Sequence, residues 1–306
     1  MSISDVVEWA TMSSKNFGTI HVLNREDLPE PLFEIPQAPD KLYAIGELPD
    51  PRSYYYLSVV GSRKYTSYGR EATERIIAGL SGYPIVIVSG LAMGIDGIAH
   101  RAAIDAGLLT VAFPGSGLNS NVLYPRTHIN LAKEIVETGG ALISEYEPNF
   151  HAAPWAFPQR NRIMAGISQG TLVIEAEGKS GTLITARLAL DYNRNVFAVP
   201  GSIFSAASKG SNNLLRLGAT PIVSAQNLLE EIGLIDLTNS QEHTPLDLTL
   251  YTPEEQSVLL LLDTPRTREE ILVAVSLPTS QALSILTVLE IKGIIQERMG
   301  KIERIK

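Results

Sequence analysis

Residues 85–100 read IVIVSGLAMGIDGIAH. Ile85–Val88 is a run of β-branched side chains with no polar alternation, the pattern of a strand buried on both faces. Ser89-Gly90-Leu91-Ala92-Met93-Gly94-Ile95-Asp96 follows as a glycine-rich turn, and Ile95–Ala106 reads as a helix. A doubly buried strand, a glycine turn and a helix form the repeating unit of a parallel sheet with crossover helices on both faces.

Working outward, the same unit recurs. Short apolar runs stand at Tyr56–Val60, Thr110–Phe113, Ala141–Ser144, Thr171–Ile174, Asn195–Val199 and Pro221–Val223. Helical stretches separate them at Gly69–Ser81, Thr127–Thr138, Gly181–Tyr192 and Asn212–Leu217. This alternation predicts an α/β domain over residues 54–235, Rossmann-like, with a mostly parallel sheet. Residues 1–53 carry prolines at 29, 31, 36, 49 and 51 and are expected to be an irregular lead-in packed on that domain. Residues 236–250, DLTNSQEHTPLDLTL, are polar and read as a linker. In residues 251–306 we expect three helices, Pro253–Leu262, a second capped by Thr267 with Glu270 at the capping-box position, and Thr279–Lys292 ending at Gly293. A hairpin of Ile294–Arg298 and Lys301–Ile305 completes a small C-terminal winged-helix-like domain.

With 44% hydrophobic and 19% charged residues, the 306-residue chain has ordinary globular composition. It holds no apolar run of about 18 residues and its first residues, MSISDVVEWATMSSKNF, lack a basic start followed by an apolar core, so neither a membrane span nor a secretory signal is expected. The absence of cysteine excludes disulfides, thiolate nucleophiles and Cys-ligated zinc, and fits a cytoplasmic protein. The net charge of −8 is uneven: residues 150–220 hold seven basic and three acidic side chains, a local +4 that leaves −12 elsewhere. Such a basic stripe on an acidic body attracts a polyanion to one face, unless it is only scattered solvated charge.

Ligands of open parallel sheets bind beyond the carboxyl ends of the strands. Those ends here are Gly61-Ser62-Arg63, the 89–96 turn, Pro114-Gly115-Ser116-Gly117, Gly178-Lys179-Ser180-Gly181-Thr182 and Pro200-Gly201-Ser202. Glycine admits a ligand close to backbone N–H groups, and helix N-termini favour anions, so the edge is expected to be a row of phosphate sites. Known nucleotide signatures fit poorly. Gly90-x-x-x-Gly94 is not G-x-G-x-x-G, and Val173 stands where the first Walker A glycine belongs. Phe157-Pro158-Gln159-Arg160-Asn161-Arg162 places two guanidinium forks around an asparagine, beside an aromatic ring suited to stacking on an unpaired base. The alternative for this segment is a core Phe157 and one arginine paired with Glu175 or Glu145. Asp96 and His100 lie four apart on one helical face; with no nucleophile and base pair and no metal-ligand cluster in the sequence, a helix-capping Asp and a hydrogen-bonded His are the expected roles.

Seven ordered segments resemble the DNA-processing protein A (DprA/Smf) family: VVGSRKYTSYG (59–69), IVSGLAMGIDGIAH (87–100), PGSGLNSNVLYP (114–125), GGALISEYEP (139–148), FPQRNRIMAGIS (157–168), VIEAEGKSGTLITARLAL (173–190) and VFAVPGS with KGSNNLLRLGA (196–219). The resemblance implies an extended Rossmann domain that binds single-stranded DNA, forms homodimers, protects incoming DNA in natural transformation and helps load the recombinase RecA. It implies no cofactor and no catalysis. The DNA-contact residues it implies are Arg63 first, then Arg160, Asn161 and Arg162, then Lys179 and Thr182, with Ser62, Gly115, Gly117 and Phe157 beside them. The stretch before Tyr54 is expected to be too short for the N-terminal helical domain of some members. Thr279–Glu290, in the position of a recognition helix, contains no Lys or Arg, so the tail is expected to serve protein interaction or regulation rather than groove reading. The rival reading is a nucleotide-binding enzyme like the phosphoribohydrolases of related fold, whose PGGxGTxxE loop ends in a catalytic Glu; Thr185 occupies that position here.

Overall fold

The computed structural model describes residues 18–178, 180–235, 251–262, 266–275, 277–298 and 300–304. The chain divides into two compact units, with the division after Ile235. The 236–250 segment expected to be a linker lies outside the described residues.

The first unit is built on a nine-stranded sheet. Its strands are β1 (His21–Asn24), β2 (Lys41–Gly46), β3 (Tyr55–Val60), β4 (Ile85–Ser89), β5 (Leu109–Ala112), β6 (Ala141–Ser144), β7 (Gly170–Val173), β8 (Asn195–Ala198) and β9 (Thr220–Pro221). They are ordered β1-β2-β6-β5-β4-β3-β7-β8-β9. From β6 to β9 every neighbouring pair is parallel, whereas β1 and β2 add antiparallel pairs at one end. The expected sheet is present, and it also begins earlier: the stretch expected to be irregular before Tyr54 supplies two strands. Central strands alternate their burial between two faces, as period-two geometry requires. Tyr56, Val60, Val86 and Val88 pack on one side with Ile163, Ala186 and Leu214. Leu57, Val59, Ile85 and Ile87 pack on the other with Ile77, Ala99 and Leu228.

Those partners come from helices α1 (Ser67–Ala78), α2 (Ile95–Asp105), α4 (Ala156–Ile167), α5 (Thr182–Asp191), α6 (Lys209–Arg216) and α7 (Ala225–Glu231), while α3 (Ile129–Glu137) covers the β2–β6 end. From β3, the chain moves through β4, β5 and β6 to one side and later through β7, β8 and β9 to the other. The strand order therefore reverses between β3 and β7, and a crevice opens at the carboxyl ends there.

The second unit has α8 (Pro253–Leu261), α9 (Arg268–Ala274) and α10 (Thr279–Ile291) with a three-stranded antiparallel sheet, β10 (Arg266–Thr267), β12 (Lys301–Arg304) and β11 (Ile295–Arg298), in that order. Val258, Leu259, Ile271, Leu286, Leu289, Ile295 and Ile302 form its core. The Thr267–Glu270 capping box is present, and Thr252–Glu255 forms a second. This is a winged-helix-like unit.

Candidate nucleic-acid interface

The turn after β3 is shaped from below. Gly61 lies against the Ile95 side chain, where a Cβ would come within 2.6 Å. The Ser62 carbonyl accepts a hydrogen bond from Ile95 N at 3.2 Å, and Ser62 Oγ accepts one from Lys64 N at 3.0 Å. Thr66 caps α1 through Gly69 N, while its own N–H and hydroxyl both donate to the buried carboxylate of Glu175. With its backbone fixed at both ends, this turn carries Arg63 and Lys64 out to solvent.

Gly94 holds the opposing turn after β4. Its φ of +88° is a left-handed backbone, and a Cβ there would sit 2.3 Å from the Ser62 carbonyl oxygen. Gly94→Ala is expected to cost about 1–3 kcal/mol in urea denaturation and to displace the Arg63 turn, weakening oligonucleotide binding as well.

Beneath these turns lie two buried charges. Asp96 Oδ2, near the start of α2, accepts from Gly90 N at 3.1 Å. Burial pushes this carboxyl up, opposed by the Arg160 charge and by the Ala92 and Gly90 amides. Arg160 donates to the Phe113 carbonyl and fills the space a Gly90 side chain would need. Desolvation pulls Arg160 down to about 10, which leaves it cationic at neutral pH. His100 is sealed from solvent and bonds through Nδ1 to Thr110 Oγ1 at 2.7 Å, so it is hydrogen-bonded as expected, though not to Asp96.

The turn after β7 joins the first through Thr182, whose hydroxyl donates to the Gly61 carbonyl at 3.0 Å and accepts from Ser180 Oγ at 3.0 Å. From α4 comes one wall. Phe157, Arg160, Asn161 and Met164 stand at i, i+3, i+4 and i+7 and face a cleft of about 660 Å³. The half-buried Phe157 ring rests against Gly115, and the Arg63 guanidinium lies over it, 5.1 Å from the centroid.

Among the expected contact residues, Ser62, Arg63, Phe157, Arg160, Asn161 and Thr182 line this one cleft. Gly115 stands behind Phe157. Gly117 is no open amide: its N–H donates to the Phe150 carbonyl at 2.8 Å, and its Cα abuts the backbone of Glu147 and Pro148. Arg162 stands apart from this group. Its side chain is 8% exposed and ion-paired with Glu145, outside the cleft lining. Two residues along a helix differ by about 200°, so Arg160 and Arg162 cannot share a wall. Of the two carboxylates expected as an arginine's partner, Glu145 takes that role and Glu175 holds Thr66. Lys179 lies outside the described residues. Sequence reasoning passed over Lys64, Glu177 and Ser180, which also line the cleft; Lys64 was signalled only by adjacency to Arg63.

The fold and site define a Rossmann-like protein whose glycine turns and guanidinium groups meet in one crevice at the switch point of the sheet. The profile of the family described as DNA recombination-mediator protein A matches residues 19–233, and the chain belongs to that family. The Smf protein of Escherichia coli is 39% identical over 237 residues, covering 77% of this chain and 61% of that protein. This chain therefore spans somewhat less than two thirds of that relative. The structure of DNA processing protein A from Streptococcus pneumoniae aligns with a TM-score of 0.65 at 38% identity, over 72% of this chain and 77% of that one. Its counterpart from Helicobacter pylori, studied for its single-stranded DNA binding mode, aligns with a TM-score of 0.64 at 28% identity, over 71% and 97%. Among the described residues no helix is long and apolar enough to cross a membrane.

Proposed function

We propose that this chain is a non-catalytic, cytoplasmic single-stranded DNA-binding protein that acts as a homodimer, protects incoming DNA and helps load RecA in transformation and recombination. The observation that carries the DNA reading is the Arg63 guanidinium, exposed yet held over Phe157 at the mouth of the crevice. A cation positioned this way meets a phosphate with little ordering cost, and glycine turns let backbone amides approach the same chain. Asn161 and Lys64 add donors along the rim, and the sequence resemblance offers Lys179 as a further candidate. Arg160, Ser62, Gly115 and Thr182 act on this reading by fixing the shape of the crevice. Family membership supports the DNA and recombination parts, and the single-stranded DNA binding mode of the Helicobacter pylori relative supports the DNA part. The non-catalytic part rests on Thr185, buried in the crevice where a phosphoribohydrolase would carry its acid.

Fluorescence anisotropy with single- and double-stranded oligonucleotides at two salt concentrations tests the binding reading. The single strand is expected to bind more tightly, with affinity falling steeply as salt rises. Arg63→Ala is expected to weaken binding about tenfold for every sequence and to reduce the salt slope by about one. An unchanged affinity and slope would remove Arg63 from the interface. The RecA and dimer parts are tested by the rate of RecA filament assembly with and without the protein and by sedimentation.

A further inference from the structure

A second cleft of about 460 Å³ adjoins the first, and Pro154 and Phe157 line both. Its other lining comes from residues 121–126 in the segment after β5 and from residues 151–153 in the segment after β6. Tyr124 is 41% exposed, and its backbone N–H donates to the buried Ser116 hydroxyl at 3.1 Å. Leu123 beside it is buried, so the ring is presented by an anchored backbone. Arg126 and His151 are exposed at the same cleft, with Arg126 Nη1 steadied by the Asn121 carbonyl at 3.2 Å.

We propose that this second cleft is a subsite for the neighbouring nucleotide of the strand held in the first, with its base on Tyr124 and its phosphate on Arg126. The inference rests on the single-strand reading above. Three observations point to a nucleotide. The cleft shares Pro154 and Phe157 with the Arg63 crevice, its volume suits a small ligand, and it pairs one exposed ring with one exposed guanidinium. The geometry also bears on strand selectivity. The Tyr124 ring stands 5.7 Å from Phe157 at an interplanar angle of 61°. A base lying on Tyr124 is thus tilted against one stacked on the Arg63–Phe157 pair. Adjacent bases of a duplex stay parallel, so the two subsites together accept only an unpaired, bent chain. Tyr124 becomes a specificity-determining residue as well as a contact.

The test uses an oligothymidylate of about 12 nucleotides, within the site sizes common for single-strand binders, carrying a photoreactive 5-iodouracil at one position at a time. Cross-links to Phe157 and to Tyr124 are expected from adjacent positions. Tyr124→Ala is expected to lower affinity for the single strand about tenfold, the loss of one stacked base, and to narrow the preference over duplex, while Tyr124→Phe retains both. The urea midpoint of each variant separates loss of folding from loss of contact. Cross-links to Phe157 alone, with Tyr124→Ala binding as tightly as the parent, would overturn the second subsite and leave the single-strand reading standing. Failure of the parent protein to bind the oligonucleotide would overturn that reading itself.

Discussion

Arg162→Ala is expected to cost about 3–5 kcal/mol of folding stability, the range for stranding one partner of a buried ion pair. Arg162 and Glu145 side chains are 8% and 20% exposed, and their pair ties α4 to the residue that follows β6. Without the guanidinium, Glu145 is left with no counter-charge in a site with little water, and the helix that carries the crevice wall loses its tether. Replacing both partners by apolar residues, Arg162→Met with Glu145→Leu, is expected to recover most of the loss, because the desolvation of two ions is then removed together with their attraction. Oligonucleotide affinity of folded Arg162→Ala is expected to stay within about twofold of the parent, as for residues without a role in binding. Arg63→Ala is expected to behave oppositely, with little change in the urea midpoint and a clear loss of affinity. An Arg162→Ala protein of unchanged stability and poor affinity would return Arg162 to the interface.

The contrast between these two arginines shows what the sequence made legible. β3 to β8 are legible because strands buried on both faces read as short, mostly apolar runs with little polar alternation, β4 most plainly as IVIV. β1 and β2 are not. HVLN at the sheet edge is mostly exposed, with Val22 at 43%, and KLYAIG sits just after a proline-rich stretch. The largest omission was α4. Pro158 is the third residue of that helix, in the first turn, where the missing N–H has no intrahelical acceptor in any case. Once the helix is granted, its periodicity sorts FPQRNRIM into the cleft face of Phe157, Arg160, Asn161 and Met164 and a back face that includes Arg162. The gathering of the glycine turns on one edge was readable from parallel order alone. That Gly117 would spend its amide on Phe150 depends on the path of the 145–155 segment, which leaves no mark in local sequence.

The second large effect concerns acid. His100 is buried under the crevice, and its Nδ1 donates to the Thr110 hydroxyl, because that hydroxyl donates its own proton to the Ile87 carbonyl at 2.8 Å. Burial, with the nearby charges of His128 and Arg160, pulls its pKa down to about 3. In the unfolded chain the same imidazole titrates near 6.5. Between these values the unfolded state binds the proton and the folded state does not, so the stabilisation present above about pH 6.5 is lost as pH falls, at up to about 1.4 kcal/mol per pH unit. Asp96 works the other way: burial pushes its carboxyl up, so the folded state takes its proton earlier and gains stability on acidification. The His100 contribution is therefore read as a difference between two proteins. From pH 7 to pH 4.5 the parent is expected to lose about 2–3 kcal/mol more than His100→Gln, which cannot titrate and keeps a donor for Thr110. Equal losses in urea titrations at the two pH values would mean that the folded protein already accommodates a charged His100. Because His100 and Asp96 share α2, whose first turn supports Ser62 and Arg63, acid unfolding of this layer is expected to abolish DNA binding over the same window.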